Sequence, residues 1–284
     1  MFAICIESSH KRGLGHLYRS LILAKNLRSK GYKVNFIINN NKFAYEKLKN
    51  EGFEFAVKEI HQENDWEKDF LMSHPNIKVW INDRLNTKAR HSKLIKTLGL
   101  SLITFDDRGT GAQYTDLNIA ALAFGEIKKF YGKKVLTGHK YLILDPISEK
   151  FRKIRKRKNK LIVTLGGSDT WGITPYVMNK LLELNQKATI ILGPAFKHFD
   201  EVQKIKSISP KEFFKIKHNV PSLIKELNSS QIAITSGGTT PFQANALGLP
   251  CITIATESFE VEVCKYLEKL GCNIYGGYKK DLNI

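Results

Sequence analysis

Residues 2–38 read FAICIESSHKRGLGHLYRSLILAKNLRSKGYKVNFII, and the fold class follows from how the hydrophobic period changes along them. Phe2-Ile6 is a buried-type run of strand length, Leu17-Ser29 carries apolar residues at helical spacing, and Lys33-Ile38 is again strand-like. Strand, glycine-bearing turn, helix and strand in so short a space form a βαβ unit, which requires a parallel sheet. Working outward, Phe53-Val57, Lys78-Asn82 and Leu100-Phe105 read as further strands, with Phe43-Asn50 and Lys88-Leu98 as helices. The pattern restarts after a basic stretch. Leu161-Leu165, Ala188-Leu192, Glu212-Ile216, Gln231-Thr235 and Cys251-Ala255 read as strands, and Thr174-Leu184, Pro221-Leu227, Thr240-Leu247 and Val261-Leu270 as helices.

This organisation predicts two doubly wound Rossmann-like α/β domains, residues 1–149 and 161–284, joined by a basic linker at 150–160. Two such domains facing each other place ligands in an interdomain cleft, outside the carboxyl ends of their strands. The chain has 284 residues, enough for two cores, and a globular balance of 42% hydrophobic and 25% charged residues. No apolar run approaches the roughly 18–20 residues that span a bilayer, and the N-terminus lacks the basic opening of a signal peptide. Four cysteines without a C-x-x-C pair point to reduced thiols in a cytoplasm rather than to a zinc or disulfide scaffold.

The net charge of +18 invites a nucleic-acid reading. Eight of the eleven residues from Lys150 to Lys160 are basic, and the rest of the excess is scattered. No stacking-aromatic, helix-turn-helix or zinc-finger pattern accompanies it, so the expectation is no nucleic acid but a solvated surface, an anionic small substrate or an acidic partner, with peripheral membrane contact open.

Three turns carry the candidate chemistry. Gly13-Leu-Gly15-His16 follows the first strand and opens the first helix, with Arg19 one turn on. The third glycine of a dinucleotide fingerprint would fall at Tyr18, so that reading fails. A histidine at a helix start sits where the dipole disfavours a cation, which suits a proton acceptor. The residues alone leave open a catalytic base or a glycine-rich turn with a capping histidine. Gly166-Gly167-Ser168-Asp169 after the first strand of the second domain admits a phosphate to backbone amides, or is a tight turn with Asp169 as helix cap. Ser236-Gly237-Gly238-Thr239-Thr240 offers amides, hydroxyls and a helix start to a diphosphate, with Gln243 one turn later placed for a ribose. The other histidines, His10, His61, His74, His91, His139, His198 and His218, show no metal spacing or partner and read as surface or satisfied polar residues. No metal and no cofactor are expected.

Gly13-x-Gly15-His16-x-x-Arg19, the Leu161–Asp169 segment, and Ser236-Gly-Gly-Thr-Thr-x-x-Gln243 running on to Gly248-Leu249-Pro250 together resemble the UDP-sugar hydrolases of the pseudaminic acid pathway. Phe105-Asp106-Asp107 and Tyr141-Leu-Ile-Leu144 extend the resemblance nearly end to end. It implies the GT-B fold shared with the lipid II-forming UDP-GlcNAc transferase. It also implies hydrolysis of a UDP-linked diacetamido-trideoxyhexose. By this resemblance His16 is the general base on water attacking the anomeric carbon, and Asp83 faces the sugar. UDP is held by Gly166, Gly167, Asp169, Ser236–Thr240 and Gln243, with the backbone near Asn219-Val220 against uracil. Three positions depart from the family: Gln243 replaces a ribose-binding glutamate, Leu85 replaces a tyrosine, and Phe259-Glu260 replaces an Asn-Gln pair. The alternatives are a GT-B glycosyltransferase using a UDP-sugar donor, or a non-catalytic UDP-sugar-binding paralogue.

Overall fold

The computed structural model describes residues 1–8, 15–62, 64–123, 130–155 and 160–282. His10 and Gly13 of the first turn, and positions 156–159 of the basic stretch, lie outside the described residues. The chain forms two compact units, Met1–Ile143 and Leu144–Ile284, each built on its own parallel sheet.

The first unit runs β1 (Phe2–Ile6), α1 (Gly15–Ser29), β2 (Val34–Ile38), α2 (Lys42–Asn50), β3 (Glu54–Val57), α3 (Trp66–Ser73), β4 (Val79–Asp83), α4 (Ala89–Thr97), β5 (Ser101–Phe105), β6 (Leu117–Ala120) and β7 (Val135–Thr137). Its sheet has the order β3-β2-β1-β4-β5-β6-β7. The chain winds outward from β1 to β3 and then returns to the other side of β1 as β4. Strand order therefore reverses between β1 and β4, whose last residues Ile6 and Asp83 are level in the register. Such a reversal opens a crevice at the carboxyl ends of the strands.

Alternation along β1 explains why both faces are covered. Ile4 and Ile6 pack with Leu17, Leu21 and Ala24 of α1, while Ala3 and Cys5 face Trp66, Phe70, Trp80 and Ile95 under α3 and α4. The helix α2 starts where the Asn41 side chain accepts from the Ala44 N–H at 2.9 Å, a side-chain cap for one of the orphan donors of a helix start.

The second unit runs α5 (Ile147–Lys150), β8 (Leu161–Thr164), α6 (Ile173–Glu183), β9 (Ala188–Leu192), α7 (Phe199–Ile208), β10 (Phe214–His218), α8 (Leu223–Asn228), β11 (Ile232–Ser236), α9 (Thr240–Ala246), β12 (Cys251–Ala255), α10 (Ser258–Lys269) and β13 (Asn273–Tyr278). Its sheet order is β10-β9-β8-β11-β12-β13, reversing between β8 and β11. Leu161, Val163 and Ile190 pack under α6 and α7, and Ile162, Ile191 and Ala233 under α8 and α9.

Several elements differ from the sequence reading. The strand expected at Glu212–Ile216 lies at Phe214–His218, because Glu212 takes a left-handed conformation (φ 59°) in a turn closed by Phe213 N–H on Pro210 O. The helix α10 starts at Ser258, three residues early, because Glu257 and Glu260 form a capping box. The start of the basic stretch belongs to the second unit. Ile147 and Phe151 pack on its core, and Arg155 donates to the carbonyls of Asn228 (2.7 Å), Ser230 (3.1 Å) and Leu247 (2.7 Å). Histidines read as lacking partners have them, among them His61 with Nε2 3.3 Å from Glu7 and His198 with Nδ1 3.6 Å from Glu201. His91 is buried with Nδ1 2.7 Å from Glu67, and His74 Nδ1 lies 2.8 Å from Phe70 O.

All four cysteines are free; Cys5, Cys251 and Cys264 are buried and Cys272 is exposed. Burial pushes the thiols of Cys251 and Cys264 up to about 12 and that of Cys5 to about 11. No described helix is long and apolar enough to cross a membrane.

Candidate functional site

In the first unit, the start of α1 meets the ends of β4 and β5. His16 Nδ1 lies 2.6 Å from Asp83 Oδ1. Arg19, one turn along the same helix face, donates Nε to Asp83 Oδ2 at 3.0 Å, Nη2 to Asp83 Oδ1 at 2.5 Å and Nη1 to Asp106 Oδ2 at 2.5 Å. Ser20 Oγ adds a bond to Asp83 Oδ2 at 2.9 Å. Asp83 is fully buried and Arg19 nearly so. Burial alone pushes the Asp83 carboxyl up, but the Arg19 guanidinium and His16 outweigh it and hold it well below the usual carboxylate range. Burial likewise opposes the Arg19 charge, and Asp83 and Asp106 overcome that and raise it above its ordinary value.

The consequence for His16 is chemical. An ionised carboxylate only accepts, so in the neutral ring the Nδ1 facing it carries the proton and Nε2 the lone pair. The Nη2 of Arg19 also approaches Nδ1, at 3.4 Å. Both groups would then be donors, and the much shorter Asp83 contact decides the tautomer. Nε2 makes no hydrogen bond to the described residues, and the imidazole keeps 12% of its surface exposed. A ring oriented by a buried carboxylate, with a free basic nitrogen, is equipped to take a proton.

Ser20 and Asp106 were not singled out as site residues from sequence. Asp106 sits in a left-handed conformation (φ 50°) directly after β5, the strand beside β4, and that strand-end position was the available signal. Its neighbour Asp107 turns away and accepts from the Thr87 N–H (3.0 Å) and Gly109 N–H (2.8 Å). Among the described residues no group of three or more His, Cys, Asp or Glu could hold a metal ion.

In the second unit, the turns after β8 and β11 flank the reversal of strand order. Gly166 needs its positive φ of 93°, and a Cβ there would lie 3.7 Å from Ser236 Oγ, so the two turns are neighbours. Gly237 is tighter still. A Cβ on it would come within 2.7 Å of Cys264 Sγ and of Glu260 Cβ. Glu260 holds this turn from behind. Its Oε2 accepts from Thr256 N (2.7 Å), Thr256 Oγ1 (2.8 Å) and Glu257 N (3.3 Å). Burial pushes its carboxyl up, against hydrogen bonds that include the Gly237 N–H. Asp169 is spent on the fold in the same way: Oδ1 accepts from Ile173 N at 2.9 Å and Oδ2 from Thr174 N at 2.7 Å, fixing the start of α6. The N-cap itself is Gly172, and Asp169 serves the helix start from three residues upstream.

The N–H groups of Gly238, Thr239 and Thr240 have no hydrogen-bond partner among the described residues, and the Gln243 side chain, half-buried on α9, has none either. Val220 follows β10 with its side chain partly buried against the core, and the N–H of left-handed Asn219 before it (φ 48°) donates to Leu192 O. The structure thus gathers His16, Arg19 and Asp83 in one unit, and Gly166, Gly167, Ser236–Thr240 and Gln243 in the other. Gly15 opens α1 and has open space around its α-carbon.

No protein-family model matches the chain. It is 30% identical over 291 residues to an uncharacterized protein of Methanocaldococcus jannaschii, MJ1062, with 94% of the chain matched. The chain spans 58% of that relative's length. It is 24% identical over 275 residues to the spore coat polysaccharide biosynthesis protein SpsG of Bacillus subtilis, covering 92% of the chain and 79% of SpsG. Among solved structures, Acinetobacter baumannii MurG superposes with a TM-score of 0.65 at 12% identity, covering 97% of this chain and 86% of MurG. Anabaena HepE in complex with UDP-glucose gives 0.63 at 11% identity, covering 89% and 80%. At these identities the likeness shows the fold, which is of the GT-B type, two parallel α/β units.

Proposed function

We propose that the protein acts on a UDP-sugar, splitting the bond between the anomeric carbon and the diphosphate by attack of water. His16 is the general base. Nε2 takes a proton as the water oxygen bonds to C1, and the C1–O bond breaks with its electrons passing to the β-phosphate oxygen, so that UDP leaves. Asp83 keeps His16 in the required tautomer and balances the imidazolium as it forms, while Arg19 and Ser20 keep Asp83 from turning away. Base assistance of this kind contributes about 10²–10⁴-fold.

The diphosphate is assigned to the Ser236–Thr240 turn, where three N–H groups lack partners and hydroxyls lie alongside. Gln243 is assigned to the ribose and the Val220 backbone to the uracil. The fold likeness to a protein crystallised with UDP-glucose and the identity with a polysaccharide-biosynthesis protein support the substrate class. The observation that carries the reading is the Asp83–His16 contact. The pseudaminic-type hexose of the resembling family is the proposed sugar. The two-unit division is proposed to separate proton chemistry from nucleotide grip.

A second reading has one observation in its favour, the fold shared with HepE and its bound UDP-glucose. In it the same His16 takes its proton from an acceptor hydroxyl, and the protein is a transferase. One experiment separates the two. UDP release from UDP-sugars is followed with and without acceptor, for wild type and His16→Ala. Hydrolysis predicts acceptor-independent release in wild type and loss of at least about 10²-fold in the variant, with UDP affinity unchanged within about twofold. Release at the wild-type rate by His16→Ala overturns the assigned base.

A further inference from the structure

We propose that Trp171 and Glu257 form the subsite for the sugar ring of the nucleotide sugar, and that Lys279 covers this subsite when no sugar is bound. The inference rests on the UDP-sugar reading above and deepens it by naming the side chains that meet the sugar.

Position along the sheet comes first. The strand order at this edge is β10-β9-β8-β11-β12. Val220 follows β10, Gly166–Asp169 follow β8, Ser236–Thr240 follow β11 and Glu257 follows β12. A nucleotide sugar is a chain of base, ribose, diphosphate and sugar. With uracil at β10 and diphosphate at β11, the next group falls at β12. Four strand spacings separate β10 from β12, about 19 Å, which suits an extended ligand of this kind.

The side chains found there have sugar-binding chemistry. Trp171 is 49% exposed, whereas Trp66 and Trp80 are buried. It lies just before α6, and its Nε1 donates to Glu257 Oε1 at 2.9 Å, so the indole is tied from the loop after β8 to the loop after β12. Lys279 places its ammonium over the indole ring, a contact that is weak at an exposed site and readily exchanged. A half-exposed indole tied by a hydrogen bond is a preorganised platform. A pyranose offers such a platform a C–H face, and its hydroxyl or amide protons meet the lone pairs that the Glu257 carboxylate keeps beyond Trp171 Nε1 and the Glu260 N–H it caps.

The alternative groups at this end are occupied. At Phe259-Glu260, where the resembling family has an Asn-Gln pair, Glu260 Oε2 is spent on Thr256 and Glu257, and Phe259 has no hydrogen-bonding side chain. The sugar must then be read by neighbours, and Trp171 with Glu257 are the polar-edged pair beside the turn.

The test uses the full chain and the fact that two of its three tryptophans are buried. Tryptophan emission is recorded while UDP, UDP-GlcNAc, UDP-glucose and the proposed UDP-linked diacetamido-trideoxyhexose are titrated into wild type and Trp171→Phe, with calorimetry on Trp171→Ala. At least one UDP-hexose should change the emission, UDP alone should not, and Trp171→Phe should lose the response. Trp171→Ala should weaken that UDP-hexose about tenfold and leave UDP within about twofold. UDP binding by calorimetry, with no UDP-hexose altering the Trp171 signal, overturns this inference and leaves the UDP reading standing. Equal weakening of UDP and UDP-hexose also overturns it, because Trp171 would then act on the nucleotide part or on the fold. Absence of binding by any of the four ligands removes the UDP reading and this inference with it.

Discussion

At its reversal of strand order the first unit buries Arg19, Ser20, Asp83 and Asp106 against one another, whereas the second unit places glycines and unpartnered backbone N–H groups there. The topology is the same and the materials are opposite. On the proposed reading a proton acceptor has to be held in place, and the first unit offers one surrounded by charged side chains that fix each other. An anion needs donors and room, and the second unit has small residues there with a buried carboxylate, Glu260, bracing the turn from behind. A doubly wound sheet supplies the place, and under this proposal the two residue sets decide whether it moves protons or holds charge.

The comparison breaks first at Asp83. Asp83→Asn gives His16 an amide that can donate to Nδ1, which selects the wrong tautomer. Turnover should fall about 10³–10⁴-fold with UDP affinity unchanged. The same variant should unfold more easily at neutral pH, because Arg19 loses its main partner. Asp83 is held far below its unfolded value, so its stabilising effect is full above the ordinary carboxylate range and is lost progressively as pH falls below that range towards its own depressed value. The gap between the denaturant midpoints of the two proteins should therefore start to narrow below about pH 4 and go on narrowing as the pH falls further. A gap that does not narrow between about pH 5 and pH 2 would mean that the ionised carboxylate is not what stabilises the unit.

A steric probe sharpens the other side. Gly237→Ala forces a methyl against Cys264 and Glu260, at a cost of about 1–3 kcal/mol, and should displace the turn proposed for the diphosphate. UDP affinity should drop while near-ultraviolet circular dichroism from Trp66 and Trp80 in the first unit stays unchanged. Unaltered UDP affinity would remove the turn from the site. The smallest effect belongs to Gln243→Glu, which exchanges an amide acceptor for a carboxylate. It should tighten UDP about threefold if Gln243 meets the ribose, and calorimetric titration reads the difference.

Much of the fold was legible because buried parallel strands and one-sided helices write their periods plainly. The strands β1, β9 and β12 coincide with the runs Phe2-Ile6, Ala188-Leu192 and Cys251-Ala255. The elements passed over have weaker patterns. The helix α3 buries only Trp66, Glu67 and Phe70, β7 has three residues, and β13 contains a Gly-Gly pair. In the site, His16 and Arg19 were visible from their spacing on one helix. Their partner Asp106 is 87 residues from Arg19, and no local pattern encodes a contact that the sheet order alone creates. Asp169 and Glu260 were marked through the family resemblance, Asp169 at the end of the Leu161–Asp169 segment and Glu260 at the place of an Asn-Gln pair. The structure shows both bonding nearby helix-start groups, a use that the same sequence pattern permits equally well.

The cysteine arrangement makes the folded chain convenient to instrument. A thiol-reactive dye meets one accessible sulfur, Cys272, while burial keeps the other three protonated and shielded. Cys272 stands immediately before β13, the strand that leads to Lys279. A maleimide fluorophore there would report energy transfer from Trp171 without any engineered cysteine, so that arrival of a ligand at this edge of the sheet could be timed on the native sequence.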